Sequence, residues 1–252
     1  MSGKVYLVGA GPGSADLLTV KAARLLGQAD VILHDALVCQ DVLDLAPCAR
    51  KILVGKRAGQ VSTDQGFINR LLVASAKDGQ IVVRLKGGDP MIFGRAHEEI
   101  AACRQAGLAI EIVPGVTTAT AAAAQIGASL TLRGVSRSVA IVTPTVAKGD
   151  HIDDSWADAA VASQTIAIYM GVGEAARVQD ALLARGLRPD LPVVIVHDVG
   201  RPDAGHVAGQ LGNLHELGAH LGAGPRILLL GDVFADVAAS SEFVSGLEAR
   251  HA

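Results

Sequence analysis

The sequence predicts two α/β domains, the first on a mainly parallel sheet and the second on a mixed one. Two observations carry that prediction. Short apolar runs alternate with helical patterns along the first half of the chain, as in a parallel sheet covered on both faces. A similar rhythm resumes in the second half after a boundary within 114–138, giving domains at 1–115 and 116–252.

In order, the first-half strands are "KVYLVG" (4–9), "DVILHD" (30–35), "KILVG" (51–55), "IVVRLK" (81–86) and "AIEIVP" (109–114). Leu18, Ala22 and Leu25 mark the first helix, Ile68, Leu71, Leu72 and Ser75 the next, and "EEIAACRQAG" precedes the fifth strand. In the second half "SVAIVTP", "TIAIYMG", "PVVIVHD" and "RILLLGDV" read as strands, and "EAARVQDALLARG" as an amphipathic helix ending at Gly186. The link at 199–225, rich in Gly and His, has room for a strand at "HVAGQL". Residues 112–132 carry no charge, yet Pro114-Gly115 and the scattered Thr, Gln and Ser argue for a loop and a buried helix rather than a bilayer span.

Composition narrows the function. Half of the 252 residues are hydrophobic but only 3% are aromatic, so Ala, Val, Leu and 29 Gly must build the core. A net charge of -3 points to neither nucleic acid nor a membrane surface as partner. Cys39, Cys48 and Cys103 form no CxxC pair, which suits a reducing, cytoplasmic setting. The N-terminal "MSGKVYLVG" does not read as a secretory leader. None of the eight histidines joins acids or cysteines in a metal-ligand pattern, so no metal is expected.

The turn in "VYLVGAGPGSADLLTV" resembles the dinucleotide fingerprint G-x-G-x-x-G at Gly9 and Gly11, but Ser14 stands at the third glycine. Pro12 removes an amide that could have cradled phosphate. Asp30 or Asp35 lies about where a ribose-binding acid would. The turn therefore suits a ligand without pyrophosphate, such as S-adenosylmethionine, or no ligand at all.

The ordered series "GAGPGSADLLTVKAARLLGQADVILHDALV", "VGKRAG", "RLKGGDPMIFGRAHEE", "VPGVTTATAAAAQIGASLT" and "IYMGV" resembles the tetrapyrrole methylases, from Val5 to about Val233. The resemblance implies a homodimer with its active site in the cleft between two domains. It implies S-adenosylmethionine as methyl donor, leaving S-adenosylhomocysteine. "HDALV" and "GKRAG" point to uroporphyrinogen III as substrate, methylated at C2 and C7 to precorrin-2. The alternatives are a later corrin-ring methylase or a relative acting on RNA or protein, a binder without catalysis, and a nicotinamide oxidoreductase.

By that resemblance Pro12, Gly87, Gly88, Asp89, Ile92, Thr117, Thr118, Met170 and Val199 contact the donor. "GGDP" and Met170 also read as an ordinary turn and as core filling, respectively. Asp35 corresponds to the proton acceptor or a substrate anchor, and Lys56 to the proton donor or the partner of a carboxylate. A polycarboxylate substrate calls for arginines, and Arg57, Arg95 and Arg133 occupy matching motifs, with Glu98 as an orienting partner. The chain departs from the family pattern at Leu132 and Thr145, where histidines are usual, at His97, and at Val199 in place of a glycine.

Overall fold

A computed structural model describes residues 3–55, 64–77, 79–145, 153–219, 221 and 224–240. The chain divides into two compact units, Met1–Thr118 and Ala119–Ala252.

In the first unit β1 (Lys4–Gly9), β2 (Val31–His34), β3 (Arg50–Leu53), β4 (Ile81–Lys86) and β5 (Ala109–Val113) form a parallel sheet in the order β3-β2-β4-β1-β5. Helices α1 (Val20–Gln28) and α2 (Gln40–Asp44) cover one face, packing on Val8, Ile32, Val83 and Leu85. Helices α3 (Gln65–Lys77) and α4 (Ala96–Gln105) cover the other, over Val5, Val31, Leu33 and Val82. With both faces covered, the strands must be almost continuously apolar, and each buried Val, Leu or Ile contributes roughly 1.5–3 kcal/mol. Thr19 starts α1, its Oγ1 accepting from the Ala22 amide at 3.2 Å.

In the second unit β6 (Val139–Val142), β7 (Thr165–Tyr169), β8 (Pro192–His197), β9 (Gly205–Gln210) and β10 (Arg226–Leu230) run in the order β6-β7-β10-β8-β9. Only β6 and β7 pair in parallel, so this sheet is mixed, as expected. Helices α6 (Ser155–Val161), α7 (Ala175–Leu183) and α8 (Leu214–Ala219) pack on one face, and α5 (Thr118–Gln125) on the other with Phe234.

Two readings need correction. The helix within 112–132 is not wholly buried: α5 buries Ala119, Ala122 and Ala123 but exposes Thr120, Ala124 and Gln125. Helices α2, α6 and α8 escaped the sequence because five to seven residues are too few to display a helical period. Among the described residues no helix is long and apolar enough to cross a membrane.

On β5, Glu111 takes Lys4 at 2.6 Å and Lys21 more closely still. Hydrogen bonds from Lys21 and then Lys4 hold its carboxyl down to about 2. A depressed carboxylate stabilises the fold above its unfolded value, here 4.5, and loses that contribution as pH falls toward 2. Glu111→Gln is therefore expected to flatten the stability-versus-pH curve between those limits, read by urea unfolding at pH 5 and pH 3. A variant as acid-sensitive as the wild type there would contradict this.

Candidate active site

Strands β1 and β4 are neighbours, yet β1 leads into α1 on one face while β4 leads into α4 on the other. The carboxyl ends of such a pair are where open α/β sheets place ligands. Here "GAGPG", "GGDP" and "PGVTT" meet. The Gly88 amide donates to the Gly11 carbonyl at 2.7 Å, and the Gly11 amide to the Gly88 carbonyl at 3.2 Å. Asp89 ties in the third loop, its Oδ2 accepting from the Gly115 amide at 2.9 Å while Oδ1 accepts from the Met91 amide at 2.8 Å.

Glycine is required at this junction. Gly11 and Gly88 sit at φ +70° and +66°, and a Cβ on Gly9 would lie 2.6 Å from Gly115 Cα. A Cβ on Gly115 would run into the Gly88 carbonyl. Gly115→Ala is thus expected to destabilise the fold by about 1–3 kcal/mol, the usual range for overpacking. Thermal unfolding checks this; an unchanged melting temperature would sink the prediction.

The same junction explains the missing fingerprint glycine. Ser14 Oγ accepts from the Asp16 amide at 3.2 Å and caps a short 3-10 turn, Ala15–Leu17. Asp30 is equally structural, its Oδ2 accepting from the Ile81 amide at 2.7 Å. Around the loops Pro12, Gly87, Ile92, Thr117 and Thr118 are all partly accessible.

In the second unit the Tyr169 hydroxyl accepts from the Ala119 amide at 2.9 Å, joining the end of β7 to the start of α5. Met170 follows at φ +57° with half its surface exposed, so it is not core filling. Asp198, at φ +50°, precedes Val199, whose side chain is buried in the core with Val196 and Phe234. Any ligand contact at that position falls to its main chain. Left-handed backbone at bulky residues costs about 1–3 kcal/mol, and functional loops are where such strain collects.

Beside the loops of the first unit lies a cavity of about 220 Å³ lined by Asp35, Gln65, Arg84, Lys86, Phe93 and Arg95, among others. Asp35 follows β2, and Arg84 reaches it from β4 with Nη2 2.6 Å from Oδ1. Arg84 is only 2% exposed, and every nitrogen is engaged: Nε with Glu99 Oε1 at 2.9 Å, and Nη1 with the Leu33 and Leu85 carbonyls. Lys86 Nζ donates to Glu99 Oε1 at 3.2 Å, and so does Gln65 Nε2. Glu99 Oε2 has the Lys86 Nζ 3.2 Å away as its ion-pair partner but takes no well-aligned hydrogen bond among the described residues. Burial, and then the neighbouring Arg84 guanidinium, pull the Lys86 ammonium below the usual lysine range.

Arg84, Lys86 and Glu99 were not among the sequence-derived candidates, although a signal existed. Two cations at i and i+2 in an otherwise apolar strand share one buried face and require a buried anion.

The remaining candidates are scattered. Arg95, at φ +54° before α4, grips Glu98 with two hydrogen bonds of 2.7 and 2.8 Å, both side chains being exposed. Arg133 and Leu132 are exposed in a turn closed by a Leu132–Ser136 bridge, and Thr145 and His97 are exposed too. Lys56 and Arg57 lie outside the described residues. Among the described residues no group of three His, Cys, Asp or Glu could hold a metal ion.

Glycine loops joined at a switch point, next to an ionised cavity, define an α/β enzyme acting on small molecules. Residues 4–215 match the model of the Tetrapyrrole (Corrin/Porphyrin) Methylases, and the chain belongs to that family. It is 43% identical over 238 residues to the uroporphyrinogen-III C-methyltransferase of Pseudomonas aeruginosa, covering 94% of this chain and 96% of that protein. It is 44% identical to the siroheme synthase of Psychromonas ingrahamii over 92% of this chain, and spans about half, 49%, of that longer protein. The structure of uroporphyrin-III C-methyl transferase from Thermus thermophilus, complexed with S-adenyl homocysteine, superposes with a TM-score of 0.80 at 39% identity. That match covers 92% of this chain and 99% of the other.

Proposed function

We propose that this chain transfers methyl groups from S-adenosylmethionine to uroporphyrinogen III at C2 and C7, giving precorrin-2. It would act in the cytoplasm as a homodimer. The observation that carries this reading is the near end-to-end match to the Pseudomonas aeruginosa enzyme. The glycine junction supports it, because backbone stripped of side chains lets a flat nucleoside approach closely, and Asp89 keeps acceptor capacity for hydroxyl or ammonium groups.

When bound, S-adenosylmethionine supplies an electrophilic sulfonium methyl. The chain contributes position and proton handling. Pro12, Gly87, Gly88, Asp89, Ile92, Thr117 and Thr118, with Met170 and the Val199 main chain, would hold the donor. Arg57, Arg95 and Arg133 would grip the substrate's carboxylates, Glu98 orienting Arg95. Each new carbon–carbon bond leaves one ring proton to be removed. Asp35, clamped through Oδ1 by Arg84, would receive it; where Lys56 delivers a proton elsewhere on the macrocycle, a second macrocycle proton leaves in exchange, so each transfer still releases one proton net. Holding the two reactants in line would supply much of the remaining rate.

Anaerobic incubation with both substrates, followed by mass analysis, tests the reading. A gain of two methyl groups is expected. An unchanged mass alongside measurable binding would favour a non-catalytic binder instead, the alternative motivated by Leu132 and Thr145.

A further inference from the structure

Asp35 is one of four charges rather than a solitary carboxylate. Arg84 bridges it to Glu99, and Lys86, two residues along the same face of β4, ion-pairs Glu99 at 3.2 Å. Two cations therefore balance two carboxylates in one buried network. Stability alone does not ask for such a network, since well-packed apolar residues of similar volume usually serve as well or better. Three of its members, Asp35, Arg84 and Lys86, open onto the cavity, while Glu99 is fully buried behind them.

We infer that Glu99 and Lys86 are positioning residues that set the pH range over which Asp35 accepts its proton: Glu99 by anchoring Arg84, and Lys86 by neutralising Glu99. The inference rests on the reading of Asp35 as proton acceptor. Lys86 is the cation most easily lost from the set, because burial and then Arg84 disfavour its charge. The other titratable groups near Asp35, among the described residues, leave the balance intact. His34 meets the Asp35 carbonyl at 3.1 Å, Arg95 lies across the cavity paired with Glu98, and the Cys103 thiol is pushed up to about 11 by burial and stays neutral. Gln65 on α3 carries no charge.

The test is the pH dependence of kcat/KM for the full chain with uroporphyrinogen III and S-adenosylmethionine. Lys86→Met leaves an excess negative charge and is expected to move the acid limb upward by about 1–2 pH units, the effect of one charge a few ångströms away in a protein interior. Glu99→Gln leaves an excess positive charge and is expected to move it downward. The Lys86→Met/Glu99→Gln pair restores balance and is expected to return the limb to the wild-type position. Limbs that stay put in both single variants, or move in one direction in both, overturn the inference. Should a single variant fail to fold, the pair decides: it is expected to regain the fold and the wild-type limb, and an unfolded or shifted pair overturns the inference. Asp35→Asn separates this from the underlying reading. Wild-type turnover in that variant means the proton acceptor is misassigned, whereas an inactive Asp35→Asn with unmoved single-variant limbs means that only the tuning is wrong.

Discussion

Asp35→Asn is expected to lower kcat by about 10²- to 10⁴-fold, the usual worth of a positioned general base, while leaving S-adenosylmethionine affinity unchanged. The substitution keeps size and polarity, so the amide oxygen can still meet Arg84 Nη2 where Oδ1 lies, at 2.6 Å. It cannot take a proton from the macrocycle. Asp35 belongs to the cavity of the first unit and, among the described residues, no hydrogen bond joins it to the glycine junction, which is why donor binding should survive. Stopped-flow or steady-state assays give the rate, and calorimetry with S-adenosylmethionine gives the affinity. A rate within a factor of a few of wild type would remove Asp35 from the chemistry; lost donor binding would recast it as a ligand-positioning group.

Arg84→Met should produce the largest loss of stability, about 3–5 kcal/mol, the range for breaking a buried ion pair from one side. The long apolar replacement fills most of the space, so the loss comes from stranded charge rather than from a void. Glu99, 0% exposed, would keep only Lys86 and Gln65, and the Leu33 and Leu85 carbonyls would lose a donor. Arg84→Lys is not expected to rescue it, because a single ammonium cannot serve both carboxylates and both carbonyls as the guanidinium fork does. Urea unfolding measures the change. A variant within about 1 kcal/mol of wild type, the cost of losing an exposed pair, would show that the network is not what holds α4 to β4.

The central strands of the first sheet were legible because a strand covered on both faces is apolar along its length, as "VILH" and "IVVRLK" nearly are, whereas the edge strand "RKIL" is mostly exposed. Their exceptions carried the more useful message. Arg84 and Lys86 interrupt the apolar run on one face, yet nothing local names their partner, because Asp35 lies 49 residues away from Arg84 and Glu99 enters from α4. The glycine loops were legible as motifs but not as a junction: that Asp89 binds the Gly115 amide depends on β1 standing between β4 and β5. Strand ends were least legible. "TIAIYMG" reads as one run to Gly171, but the left-handed turn at Met170 ends β7 at Tyr169 and turns Met170 outward.

The main-chain weld among Gly9, Gly11, Gly88 and Gly115 also constrains how this scaffold can change. The three loops share atoms-in-contact along their backbones, so lengthening or reshaping any one displaces the other two. A graft from a relative should therefore transplant all three segments together, whereas the turn around Leu132 and Arg133, closed by the Leu132–Ser136 bridge, is anchored outside itself where Ser136 Oγ lies 2.7 Å from Thr165 Oγ1, so an exchange there needs to keep that pair. On the proposed reading, the end of the sheet that holds the methyl donor would therefore change only as a block.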